Sequence, residues 1–183
     1  MSRLIEFYRG EAEDHEGRKL QDYWAFSDDD IEMTHNFISW MFPLRKRSLF
    51  SYEAPTVDDD DTAAFGAEYQ IRKNLITSLD RFLAFLGLER VEGQVVKGAD
   101  FEAKKVIWAG PDHNWLRIER VLQCLRLFSF EQEALALFDR LGRLRGEVGA
   151  GITPEAYARW RAAAMEEDPS WLAAAQKFDE AQE

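Results

Sequence analysis

The sequence predicts an all-α fold, a compact orthogonal array of about six to eight helices. Three observations carry that expectation. Wide apolar faces recur at helical spacing along the chain. Caps and stops punctuate them, with Asp, Ser or Thr before and Gly or Pro after. Strand-like alternation hardly appears.

The first well-marked helix covers residues 31–42. Asp28-Asp29-Asp30 precede it, supplying a cap and carboxylates at the positive end of the helix dipole, and Pro43 stops it. Only Glu32, Asn36 and Ser39 form a polar side, the pattern of a buried central helix that would carry His35 and Trp40 inward. Residues 62–86 form the longest pattern, capped by Asp61 or Thr62, with Phe65, Ile71, Leu79, Phe82 and Leu86 on its apolar face. Gly87-Leu88 closes it as a left-handed glycine with its following hydrophobic contact. Residues 91–99 read as a Gly-flanked loop, and Asp100 as the cap of a short helix ending at Gly110-Pro111. Asp112 caps a helix over 113–128, and Ser129-Phe130-Glu131-Gln132 matches the capping box that opens another, to 145. Thr153-Pro154 and Asp168-Pro169 each place a cap before a proline, opening two Ala-rich helices at 154–166 and 169–181.

All 183 residues read as one domain, able to bury roughly 70% of its unfolded surface. The Gly-rich stretch 146–152 reads as a linker before a C-terminal helical pair, 153–183. It follows a helix and lacks phosphate-loop or dinucleotide spacing, so no cofactor is expected.

Lys and Arg number 23 against 34 Asp and Glu, a formal charge of −11. Residues 1–61 hold 7 basic and 15 acidic side chains, and much of that excess sits in two Asp runs. Bulk acidity repels phosphate backbones and argues against nucleic acid as a partner. A single Cys excludes an intramolecular disulfide framework. No apolar run approaches the ~20 residues of a membrane span, and the first residues make no signal peptide. A cytoplasmic protein without integral membrane association is the expectation.

Chemistry concentrates on one helix. His113, Arg117, Arg120 and Cys124 fall within ~60° of one another on a helical wheel, beside the apolar Trp115, Ile118, Val121 and Leu125. Two guanidiniums and an imidazole on one stripe suit a carboxylate or phosphate. They suit equally well the carboxylates of a neighbouring helix. Arg72 sits in a largely apolar face and needs a partner. Cys124, mid-helix, lacks the setting that activates a thiol. Glu32-Met33-Thr34-His35 matches the Glu-x-x-His pair of di-iron bundles, but no second such pair exists and the chain has only 3 His. No metal site is therefore expected. Arg45-Lys46-Arg47 reads as a solvated turn at a helix C-terminus.

Two of these blocks resemble a known family. Ile31-Glu32-Met33-Thr34-His35-Asn36-Phe37-Ile38-Ser39-Trp40-Met41-Phe42-Pro43-Leu44-Arg45, with Trp24 before it, is similar to the signature of the opioid growth factor receptor conserved region. His113-Asn114-Trp115-Leu116-Arg117-Ile118-Glu119-Arg120 resembles a second block of that family, and Phe7-Tyr8-Arg9 and Phe85-Leu86-Gly87-Leu88 fit two more. Ser39 stands where the family commonly has Gln, and Phe37 and Trp115 where it has Tyr. The resemblance implies an all-α domain. It also implies kinship with vertebrate receptors for Met-enkephalin that associate with the nuclear membrane.

The candidate ligand-binding set is His35, Trp40, Arg72, His113, Trp115, Arg117 and Arg120, read as holding a peptide or a small anion. With no nucleophile, metal set or paired carboxylates to assemble, binding is favoured over catalysis. Two alternatives stay open. One is an enzyme with His35 or His113 as general base, oriented by Glu32. The other is a structural protein in which Arg72, Arg117 and Arg120 each meet an acidic partner.

Overall fold

Ser27, rather than the aspartates after it, caps the first of the helices marked by an Asp run. Its hydroxyl accepts from the Asp30 amide at 3.1 Å, and Asp28–Asp30 become the acidic first turn. In the second run the cap is Asp58 rather than Asp61 or Thr62: its carboxylate accepts from the Asp61 amide at 2.8 Å, and the helix begins at Asp59. A computed structural model describes residues 2–48, 51–147 and 149–165. Its helices are α1 (Arg3–Arg9), α2 (Leu20–Trp24), α3 (Asp28–Met33), α4 (Ile38–Met41), α5 (Asp59–Ala67), α6 (Tyr69–Phe85), α7 (Val106–Ala109), α8 (Asn114–Leu127), α9 (Glu131–Arg145) and α10 (Pro154–Met165).

The helix expected over 31–42 is two short helices, α3 and α4, with Thr34 leaving α3 in extended backbone. The helix expected over 62–86 also breaks, at Glu68, which ends α5 and starts α6 with φ −92° and ψ 111°. Among the described residues the helices therefore number ten, mostly short, instead of six to eight. The structure is also not purely α. Residues expected as a loop form an antiparallel hairpin, β1 (Leu88–Val91) with β2 (Gln94–Lys97), in the register Leu88↔Lys97 and Val91↔Gln94. Glu92 and Gly93 turn it with φ of 49° and 77°, the two left-handed positions of a two-residue hairpin. Four-residue strands give too little alternation to stand out in a sequence.

Gly87 does what its position suggests. It takes φ 77°, and a Cβ there would lie 2.8 Å from the Phe101 Cα. Ser129 does not fill a capping box. It sits at φ 60° while the Phe130 amide bonds back to the Leu125 carbonyl at 2.8 Å, closing α8 with a Schellman turn before α9 starts at Glu131.

The core is aromatic. Phe7, Tyr8, Tyr23, Phe37, Trp40, Phe42, Phe65, Phe82 and Phe128 are buried together, and the Phe65 and Phe128 rings stack with centroids 3.8 Å apart. At the far end the Thr153 hydroxyl accepts from the Ala156 amide at 3.2 Å, opening α10, which packs on α8 and α9. The Trp160 indole donates to the Trp115 carbonyl at 2.9 Å across that contact. Gly151 donates to the Trp108 carbonyl at 2.7 Å, tying the Gly-rich stretch to α7. The helix expected at 169–181 lies outside the described residues. No helix among the described residues is long and apolar enough to cross a membrane.

Candidate functional site

The Asp112 carboxylate accepts from the Asn114 amide at 2.8 Å, which starts α8 and places Arg117 one turn in. Arg117 is 6% exposed. Its Nη1 donates to the Ile31 carbonyl at 2.7 Å and the Asn114 Oδ1 at 3.2 Å, and its Nη2 donates to the Thr34 carbonyl at 2.7 Å. In an unbroken helix those two carbonyls would receive the amides of His35 and Ile38. The guanidinium replaces both, so the sequence-predicted helix ends where Arg117 reaches it. Burial lowers the Arg117 pKa, and the nearby Glu32 and Asp112 carboxylates work against that fall.

Arg72 and Arg120 follow the same rule. Arg72 Nη1 lies 3.2 Å from both the Phe65 and the Phe128 carbonyl, at the ends of α5 and α8, with its Cζ 4.0 Å over the Phe130 ring. Phe65 lies four residues before Tyr69, so this arginine takes over a carbonyl freed by the break at Glu68. Arg120 Nε donates to the Phe42 carbonyl at 2.7 Å, just before Pro43. Burial lowers its pKa too. The acidic partners expected under the structural alternative are not what these arginines hold. Each donates to main-chain oxygen at a helix end, the group that helix geometry leaves unpaired and that a guanidinium fork fits.

The break also moves His35. Expected on a packed helical face, it lies in the turn between α3 and α4 and is exposed. Its Nδ1 is 3.4 Å from Arg117 Nη2, and its ring is 6.0 Å from that of His113, centroid to centroid. His113 Nε2 is 3.1 Å from Glu32 Oε1, an ion pair when the imidazole is protonated. The other Glu32 oxygen accepts from Asn114 Nδ2 at 3.1 Å. His35, His113 and Arg117 are thus brought together, with Glu32 and Asn114 completing the cluster. The exposed Met33 and Leu116 stand two and three residues from the two histidines in the chain.

Trp40 is not part of that surface. It is fully buried, with the Phe7 ring at 5.0 Å and the Arg3 guanidinium over it. Trp115 is buried as well, its indole donating to the Ile107 carbonyl at 2.8 Å, but it lines a recess of about 230 Å³ between α8 and α10. Arg72 lies on α6 and contacts the far end of α8, away from the histidines. Cys124 is fully buried, and burial pushes its thiol far up from the ordinary range.

Two features escaped the sequence reading. Asp14, 3% exposed, receives the Tyr23 hydroxyl and the Arg18 guanidinium, and Arg18 Nη2 also donates to Asn36 Oδ1 at 2.9 Å. Through Asn36 this network reaches the same α3–α4 turn that Arg117 holds; the Asp14-to-Arg18 spacing is its only trace in the sequence. Trp160, with the other α10 residues of the recess wall, gave no signal beyond an apolar residue in an Ala-rich helix. Among the described residues no group of three His, Cys, Asp or Glu side chains could hold a metal ion.

The sequence profile of the opioid growth factor receptor conserved region matches residues 4–141. The mouse opioid growth factor receptor is 29% identical over 105 residues, which is 56% of this chain and 16% of the receptor. The human receptor is 27% identical over 105 residues, 56% of this chain and 15% of its own length. The opioid growth factor receptor-like protein 1 of Xenopus tropicalis is 27% identical over 110 residues, 59% of this chain and 21% of that protein. The match therefore spans less than a quarter of each of these relatives. No solved structure matches the chain. Both sequence blocks that meet at Arg117 lie within the matched span, and the chain belongs to the opioid growth factor receptor conserved-region family.

Proposed function

We propose that this domain is a non-catalytic peptide-binding module whose ligand lies across the edge formed by His35, His113 and Leu116. The observation that carries this reading is the exposure of two imidazoles, 6.0 Å apart, on a frame fixed from beneath by Arg117. Exposed Met33 and Leu116 add apolar surface to the same edge. The names of the relatives as receptors for a growth factor support a peptide as the ligand class. A small anion is less well served, because the terminal nitrogens of Arg117 are already engaged by two carbonyls and an amide oxygen.

The test is titration of the full chain with Met-enkephalin, followed through the imidazole NMR signals. Saturable shifts at His35 and His113 are expected, lost in the His35→Ala/His113→Ala double variant. Equal binding by that variant, or no shift up to about 1 mM peptide, overturns the reading.

One observation favours catalysis: the Glu32–His113 contact at 3.1 Å is the geometry of an oriented general base. A base also needs a place for the reacting atom within hydrogen-bond reach. Neither histidine lines the recess beside Trp115 or the larger cavities near α9, of about 440 and 380 Å³. Binding therefore remains the reading that the geometry supports best.

A further inference from the structure

The recess between α8 and α10 has a chemistry of its own. Trp115 and Trp160 meet edge to face in its wall, with centroids 5.8 Å apart at 75°, and Leu116 extends the apolar surface outward. Its volume of about 230 Å³ suits one side chain and is smaller than a typical small-molecule pocket. Three carboxylates ring it, Asp112, Glu119 and Glu155, against a single guanidinium, Arg159. Arg159 is already matched to Glu119 at 2.9 Å and Asp112 accepts from the Asn114 amide, so Glu155 is the carboxylate without a cationic partner in a lining that keeps a negative excess.

We infer that this recess takes a lysine or arginine side chain of the bound peptide. The apolar stem lies along Leu116 and the two indoles, and the cationic head sits among Asp112 and Glu155. Charge complementarity selects this occupant: three carboxylates against one guanidinium repel an acidic side chain and attract a cationic head, and give a neutral one no such gain. The inference deepens the peptide-binding reading and rests on it. Leu116 joins the two, since it belongs both to the His113 edge and to the recess lining.

The experiment uses the full chain and three acetylated, amidated glycine pentapeptides with lysine, norleucine or glutamate at the centre. The readout is the indole N–H signals of Trp115 and Trp160. The lysine peptide should saturate those shifts at a concentration about tenfold below the norleucine peptide, and the glutamate peptide should leave them unmoved. Glu155→Gln, at an exposed position that no packing depends on, should weaken the lysine peptide about threefold, and added salt should do the same. Equal saturation by lysine and norleucine, or indoles unmoved by lysine, overturns the inference. Imidazole shifts with Met-enkephalin alongside indoles unmoved by lysine would remove this assignment alone. Silence at both places would remove the peptide-binding reading with it.

Discussion

Arg117 and Thr34 stand 83 positions apart in the sequence, and the guanidinium of one donates to the carbonyl of the other at 2.7 Å. That bond, with its companion to Ile31, ends α3 and turns the chain so that His35 faces solvent while Phe37 and Trp40 enter the core. Removing the side chain leaves two carbonyls without a donor at a buried junction. Arg117→Ala should cost about 3 kcal/mol of folding stability, read as a lower midpoint in urea denaturation. Arg117→Lys should recover little of it, because a single ammonium cannot span both carbonyls and Asn114. A loss below about 0.5 kcal/mol, the range of ordinary surface substitutions, would show that the fork does not hold this junction.

Gly87 offers a second measure of how tightly the hairpin joins the helices. A methyl group there meets a left-handed backbone and the Phe101 main chain at 2.8 Å, which cannot move aside as a flexible side chain could. Gly87→Ala should destabilise by about 2 kcal/mol and lower Tm by roughly 4–8 °C. An unchanged Tm in a calorimetric scan would contradict the close approach of Gly87 to the Phe101 main chain.

Stability should fall in acid through Asp14. Burial raises its pKa, but the hydrogen bonds from Tyr23, from the Arg18 side chain and from the Arg18 and Glu16 amides outweigh that and hold it below the ordinary carboxylate value. A carboxylate with a depressed folded-state pKa stabilises the fold above its unfolded value of about 3.9, and that contribution is lost as pH falls through the folded one. Denaturation midpoints should therefore drop below about pH 4, and Asp14→Asn should flatten this part of the profile. Parallel acid profiles in the two proteins would exclude Asp14 as a source.

Cys124 should be silent to alkylating reagents in the folded chain. Its thiol is fully buried, and burial holds it protonated well above the ordinary range. Iodoacetamide at about pH 8, near the ordinary thiol pKa, should label it only after urea is added. Rapid labelling of native protein would mean that α8 opens far more readily than its packing indicates.

Much of the fold was legible because it is written in local pattern. The Asp runs, Gly87, Asp112 and Thr153-Pro154 all mark helix boundaries within a few residues of where they fall. The breaks at Thr34 and Glu68 were not legible. Nothing in Thr34-His35-Asn36 forbids a helix; the cause is a guanidinium arriving from another helix, and Arg72 has the corresponding role at Phe65. The hairpin hid for a different reason, since Glu92-Gly93 lacks the Asn-Gly signal and each strand is only four residues long. At the candidate site, the wheel placed His113, Arg117 and Arg120 on one stripe, but it could not tell that the acceptors would be main-chain oxygens. His35 followed the break and was misplaced with it.

The choice of main-chain acceptors has an evolutionary consequence. A salt bridge ties two side chains, so a change at one end constrains the other. A bond from Arg117 to the Thr34 carbonyl constrains one end only, since any residue at 34 offers the same oxygen. Homologues should therefore vary at Ile31, Thr34, Phe42 and Phe128 as their own packing allows, while the three arginines stay fixed. Covariation between position 117 and position 34 should be absent although the two residues touch.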